Sequence, residues 1–357
     1  MDFGLFYFDG DGARRRPHQY RLLLDSARFA DEHGFCAIWT PERHFHAFGG
    51  LYPNPAVTSA ALAVATTRIR IRAGSVVAPL HHAVRLAEDW SVVDNLSNGR
   101  VAMAFASGWT TREFILSRSG HGARREAMWE TIDQVRALWA GEAVQFAQPD
   151  GGTESVQCLP RPVQRTLPLW IAAQSESTFV RAAQAGAHIL TSLLNAKLSD
   201  VAANIAVYRQ TLAERGLDPN AYRVALMVHT FVGPDLEQVR REIQEPFYDY
   251  LRSHYHLLDG LAEALGLGVS LDDLSPGDME TLLRFGLEGF MNGRSLLGTP
   301  TGLGPLVADF AAAGVDEVAC LVDFHPHEDA IMRSLEYLKQ LKDDCYSIVR
   351  PYVVFEP

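Results

Sequence analysis

The sequence predicts a (β/α)8 TIM barrel with a long helical insertion between its seventh and eighth strands. Three observations predict it. Eight short apolar runs recur along the chain, and most are followed by a helical period. The runs are continuously apolar rather than alternating, as in parallel strands covered on both faces. Polar residues gather just past the C-terminal ends of several runs, the end at which such barrels carry their sites.

The first strand is DFGLFYF, and the amphipathic stretch HQYRLLLDSARFADEHG reads as a helix ended by Gly34. FCAIWT is the second strand and PAVTSAALAVATT its helix. IRIRAGSVV, the third strand, precedes the helix HAVRLAEDWSVVDNLSNG. RVAMAFAS, the fourth, leads through a loop to the helix RREAMWETIDQVRALWAG. Residues 141–166 read as irregular. LPLWIAA and AHILTSLL are strands five and six, with the helix ESTFVRAAQAG between them. RVALMVHTFV is the seventh strand and DEVACLVDF the eighth. The insertion between these two, about 234–300, contains helical pieces such as LEQVRREIQEPFYDYLRSHY, and long additions of this kind tend to be lids or interface elements. No repeat or linker divides the chain, so residues 1–357 are expected to form one domain.

The chain has 357 residues, 47% of them hydrophobic and 21% charged, which suits a compact protein with an ample core. A net charge of −11 argues against nucleic acid as the main partner. No stretch is apolar for long enough to span a membrane, and the N-terminus lacks a secretory pattern. Cys36, Cys158, Cys320 and Cys345 are scattered, with no CxxC pair, and read as reduced thiols. A cytoplasmic location is expected.

The densest polar cluster is WTPERHFHAFGGLYPNP, residues 39–55, directly after the second strand. Glu42, Arg43, His44 and His46 there are open to three readings: a metal site, a proton-transfer or cofactor site, or a satisfied structural corner. A metallohydrolase would need ligands from other strand ends, and only Asp323, His325 and His327 after the eighth strand supply them. His46 reads as structural. AAQSESTF places Ser175, Ser177 and Thr178 at a strand-to-helix turn, either as a phosphate site or as a plain helix cap. Gly74 in AGSVV would let a flat ligand approach the backbone, or would mark a bulge. Ser107, Gly108 and Trp109 follow the fourth strand, where a planar ligand could be met. Arg100, at the opposite end of that strand, reads as structural. His81 and His82 lie near the third strand's end as substrate contacts or solvated side chains.

Taken together, WTPERHFHAFG…NP, RAGSVV, HHAVRLAEDWSVVDNLSNGR, ASGW and AAQSESTF…AAQAGA resemble, in order and spacing, the bacterial luciferase-like flavin monooxygenases. The resemblance runs over residues 1 to about 195 and resumes at LLGTP and the final strand. It is greatest to the branch associated with polyketide and nonribosomal peptide biosynthesis. It implies FMN at the C-terminal face of the barrel, reduced by a separate flavin reductase, and a homodimer. It also implies that Glu42 and His44 line the pocket and that a non-prolyl cis peptide stands at Ser75–Val76 beneath the flavin ring. Gln174, Ser175, Thr178 and Thr191 are implied flavin contacts, with Ser175 and Thr178 near the phosphate.

Two residues depart from the pattern. Arg43 stands where luciferases carry a histidine, which moves the acid–base role to His44 and argues against light emission from an aldehyde. Ser107 stands where luciferase has a phosphate-binding basic residue, so Arg124 or Arg125 would supply that charge. The implied reaction is oxygenation of an organic substrate by O2, the substrate being free or tethered to a carrier protein. A deazaflavin-dependent oxidoreductase on the same fold is the main alternative.

Overall fold

The computed structural model describes residues 1–8, 17–47, 49–117, 119–194, 196–253 and 274–345. Eight parallel strands close into a barrel: β1 (Asp2–Phe6), β2 (Ala37–Thr40), β3 (Arg70–Val77), β4 (Val101–Ala106), β7 (Leu169–Ala172), β8 (His188–Ser192), β9 (Val224–Val232) and β11 (Glu317–Leu321). Each pairs with the next in this order, and β11 returns to pair with β1. These are the eight strands expected from the sequence.

Two further elements were not legible. Residues 141–166 are not irregular throughout, because β5 (Val144–Ala147) and β6 (Thr153–Val156) form an antiparallel hairpin. Both strands are short and largely exposed, so they lack the apolar run that marks a core strand. A ninth parallel strand, β10 (Leu296–Gly298), pairs with the end of β9. The insertion holds the helices Leu236–Ser253 and Pro276–Met291. Its residues 254–273 lie outside the described part of the chain.

Strand alternation sorts the side chains into two cores. Phe3, Leu5, Ile38, Ile71, Met103, Ile171, Ile189 and Val318 face the helices. Phe6, Trp39, Ala102, Ala104, Trp170, Leu190 and Ala319 face the lumen. Gly74 leaves room for two of these rings: a Cβ there would lie 2.8 Å from Phe6 and 3.1 Å from Trp39. Among these rings sits a buried ion pair. Arg72 Nη1 donates to Glu317 Oε2 at 2.7 Å, and Trp39 Nε1 donates to Glu317 Oε1 at 2.9 Å. The Arg72 guanidinium lies against both Trp39 and Trp170, 4.7 and 4.6 Å from the centroids of these rings, which meet edge to face.

Polar clamps hold the opposite, N-terminal end. Arg100 donates to Ser97 O, Thr66 Oγ1, Thr66 O, Ile69 O and Ala63 O, tying the chain before β4 to the end of the helix Pro55–Ala65 and the segment entering β3. Asp31 accepts from the backbone N–H groups of Thr67, Arg68 and Ile69 and from the Thr67 hydroxyl. Burial alone would raise the Asp31 carboxyl, but these bonds hold it below its ordinary value. Asp31→Ala is expected to cost about 2–3 kcal/mol in urea unfolding at neutral pH, because three N–H groups lose a charged acceptor. A folded-state pKa below the unfolded one means this contribution is present above the ordinary value of 3.8 and is lost as pH falls through the folded value. The gap between wild type and variant should therefore close in acid.

Candidate active site

The site begins where β2 ends. Pro41 follows the strand, and the chain folds back over the barrel mouth through two turns, Gly50 N to Ala47 O and Tyr52 N to Gly49 O. Gly49 has φ +70, and a Cβ there would lie 2.9 Å from Phe8 O and 3.2 Å from Arg43 Cγ, so both conformation and space require glycine. Phe45 adopts φ 58, a left-handed conformation uncommon for a bulky side chain. The loop closes at Asn54, whose side chain caps the next helix by accepting from Ala56 N and Val57 N, with Pro55 at the first helical position.

Glu42 is the hub. Its Oε1 lies 2.9 Å from His44 Nε2 and 2.6 Å from His81 Nε2, and its Oε2 accepts from Val77 N at 2.7 Å. Burial pushes the carboxyl pKa up, but the two imidazoles and the Val77 N–H outweigh it and leave Glu42 below its ordinary range. Glu42 is therefore an anion at neutral pH. A carboxylate only accepts hydrogen bonds, so both histidines present Nε2–H to it. The His44 Nδ1 is left as the ring's acceptor nitrogen, the arrangement in which a carboxylate orients a histidine base.

His44 and Arg43, with Phe45, His46, Ala47, Gly50 and Pro53, line a cleft of about 350 Å³. The buried Arg43 guanidinium sits between the rings of Phe8 and Trp109, 4.7 and 4.8 Å from their centroids. Trp109 itself is 55% exposed, and its ring with Arg43 connects the loops after β2 and β4. Gly108 has φ +80 and is packed so tightly that a Cβ would meet Val77 at 2.9 Å and Phe114 at 3.0 Å. Its glycine identity thus has a packing reason. His46 is exposed on the rim.

A second polar group stands past β7. Ser175 occupies the cap position of the helix Glu176–Gln184 without a side-chain capping bond. Its hydroxyl instead lies 3.1 Å from Ser177 Oγ and 3.0 Å from Thr178 Oγ1, so three hydroxyls gather at an exposed helix start. The helix Arg124–Ala140 runs alongside in the same direction: Arg136 donates to Ala185 O near both C-terminal ends, and Arg181 stacks on Trp129 at 4.5 Å midway. Arg124 stands at the start of the helix Arg124–Ala140. Arg124 Nη1 donates to His121 O at 3.1 Å, while its buried Nε has no hydrogen-bond partner among the described residues.

The match of a family model decides the relationship. The model described as luciferase-like monooxygenase matches residues 1–317. The chain belongs to the luciferase-like monooxygenase family. Its similarity to the oxygenase component of flavin-dependent trigonelline monooxygenase from Acinetobacter baylyi is 29% identity over 238 residues. That match covers 65% of each chain, just under two thirds of the relative's length. The alkanal monooxygenase alpha chain of Photorhabdus luminescens is 25% identical over 325 residues, 88% of each chain. Among solved structures, the oxygenating constituent of 3,6-diketocamphane monooxygenase from Pseudomonas putida, a Type II Baeyer–Villiger enzyme in complex with FMN, superposes with TM-score 0.78. It is 16% identical and covers 99% of this chain and 100% of its own, a likeness of fold.

Within this luciferase-like chain several expectations need correction. The non-prolyl cis peptide is Gly74–Ser75, not Ser75–Val76. The pairing of β3 with β4 shifts register between Gly74 and Val76, which makes Ser75 the inserted residue. Beyond that shift the Val76 side chain is fully buried in the helix-facing core, away from the cleft. Thr191 is buried and shares strand parity with Ile189, which faces the helices. Its neighbour Ser192 has the lumen parity of Leu190, and its hydroxyl accepts from Gln174 Nε2 at 3.0 Å. Of the two histidines past β3, His82 caps a helix by accepting from Val84 N, and His81 joins Glu42. His81 was left open in the sequence because nothing local links it to a residue 39 positions earlier.

The metallohydrolase set does not assemble. Asp323 accepts from Phe8 N at 2.8 Å, and His325 is engaged by Glu242 O and His327 N and stacked on Phe231. Among the described residues no three His, Cys, Asp or Glu side chains come together as a metal site. No described helix is long and apolar enough to cross a membrane.

Proposed function

We propose that this flavin-dependent monooxygenase holds FMN across the barrel mouth and oxygenates an organic small molecule in the cleft beside His44. The observation that carries the reading is the Glu42–His44 pair, an anchored carboxylate and an oriented imidazole opening on a cleft at the C-terminal ends of the strands. The residues present also fit a flavin phosphate. Three hydroxyls at a helix N-terminus provide donors for a dianion, and Arg124, whose buried Nε has no partner among the described residues, is the arginine we assign to its charge.

Reduced FMN supplies the two electrons by which one atom of O2 enters the substrate and the other leaves as water. The protein's part is binding, exclusion of water and proton movement. Ser175 and Thr178 would donate to the phosphate with Arg124, while Gln174 is placed by Ser192 near the same end of the barrel. The backbone of Ser75, Val76, Ser107 and Gly108, at the ends of β3 and β4, would hold the flavin ring, and Trp109 with Arg43 would wall the cleft against water. His44 takes up or returns the proton at Nδ1, held by Glu42 at Nε2.

A separate flavin reductase is supported by the absence of a GxGxxG nucleotide fingerprint in the sequence and by the relative named as an oxygenase component. We place the enzyme in natural-product biosynthesis, on a free or carrier-tethered acyl or aminoacyl substrate, as a cytoplasmic homodimer.

Titration with FMN, reduced FMN and a deazaflavin, followed by oxygen uptake with candidate substrates, tests the reading. Tight binding of the deazaflavin with no oxygen uptake would favour the dehydrogenase alternative. The Ser175→Ala/Thr178→Ala double variant is expected to weaken FMN binding about 10- to 100-fold by removing two hydrogen bonds to a charged group. Riboflavin, which lacks the phosphate, should bind wild type and variant alike. An equal loss for riboflavin would place the phosphate elsewhere.

A further inference from the structure

We propose that His81 is a positioning residue for His44: by donating to the carboxylate oxygen that His44 also uses, it draws charge from Glu42 and sets the pH at which His44 accepts a proton. This rests on the reading of His44 as the proton-transfer residue. Three features carry it. Both imidazoles converge on Glu42 Oε1, at 2.6 Å for His81 and 2.9 Å for His44, while Val77 N–H occupies Oε2. His81 is fixed at the backbone, its N–H bonded to Ala78 O at 3.1 Å at the end of a 3-10 turn. Its side chain is 25% exposed against 13% for His44 and 0% for Glu42, so of the three it exchanges protons most directly with solvent.

Among the described residues few charged groups act on the pair. Glu42, and Asp89 on the helix Ala83–Ser97, act on His81. Glu42 bonds the His44 ring, Arg43 is its chain neighbour, and Glu113 Oε1 lies 3.4 Å from the His44 backbone N. Burial lowers the His81 pKa, but the two carboxylates outweigh it and raise the value above its ordinary 6.5. A protonated His81 offsets part of the charge on the Glu42 oxygen that His44 also contacts. Two histidines on one carboxylate titrate as a coupled unit.

The test is His81→Gln, which keeps a hydrogen-bond donor but carries no charge. The His44 imidazole is followed by NMR against pH in the flavin-free protein. Its midpoint is expected to rise by about one pH unit, and the acid limb of coupled product formation should move up by the same amount with FMN affinity unchanged. Midpoints that coincide in wild type and variant overturn the proposal. His81→Lys, which restores a cation, should return the midpoint toward the wild-type value; a shift there equal to that in the glutamine variant also overturns it. The two readings fail separately. An unchanged turnover in His44→Ala removes the proton-transfer role, whereas an unchanged His44 titration in His81→Gln removes only the coupling.

Discussion

His44→Ala is expected to lower oxygenated product by about 10²- to 10⁴-fold, the range that a positioned proton-transfer group contributes, while FMN affinity stays within about threefold, a difference under 1 kcal/mol. The separation follows from geometry. His44 bonds to Glu42 at the cleft, whereas the hydroxyls assigned to the phosphate stand past β7 on another part of the barrel mouth. His44→Gln offers a sharper version, because an amide can still donate to Glu42 but cannot act as a base near neutral pH. It should resemble alanine in rate and wild type in stability. Glu42→Gln should approach the same low rate, since residues acting as a unit lose activity together rather than additively. Coupled product formation from reduced FMN, O2 and substrate is the measurement, and unaltered turnover in His44→Ala would sink the role.

Arg72→Ala is expected to be the most destabilising single change in the barrel lumen, at about 3–5 kcal/mol, because it leaves a buried carboxylate without its partner. Glu317 is fully buried. Burial pushes its carboxyl up, but Arg72, Arg223 and the Trp39 N–H hold it below its ordinary value of 4.5. The folded pKa lies below the unfolded one, so this contribution is present above pH 4.5 and is lost as pH falls through the folded value. The guanidinium also packs against both Trp39 and Trp170, so alanine adds a cavity beside the two rings. Arg72→Met with Glu317→Leu removes both charges while keeping volume, and should recover most of the loss. Urea unfolding at neutral pH distinguishes these outcomes. A single-variant loss below about 1 kcal/mol, the level of an exposed pair, would show that water reaches the carboxylate.

Much of the architecture was readable locally. The run AIWT, the Asn54–Pro55 helix start and the alternation of strand and helix depend on neighbours a few residues away. The clustering of Glu42, Arg43 and His44 past a strand was visible for the same reason. What the linear pattern could not reach were contacts between distant segments. Arg72 and Glu317 are separated by 245 positions, and each looks like an ordinary polar residue inside an apolar run. The β5–β6 hairpin escaped because it packs little against the core and so carries no strong hydrophobic signal.

The sequence by itself determined the kind of machine: eight buried parallel strands, polar chemistry at their C-terminal ends, and membership of a flavin-using family. Only the tertiary structure decided which atoms meet. It brought Ser192 rather than Thr191 to the lumen, moved the cis bond to Gly74–Ser75, and joined His81 to Glu42. The physical reason is that local periodicity specifies an element but not its partners. A one-residue shift in strand register turns a side chain to the opposite face, and contacts across the barrel exist only once the sheet has closed.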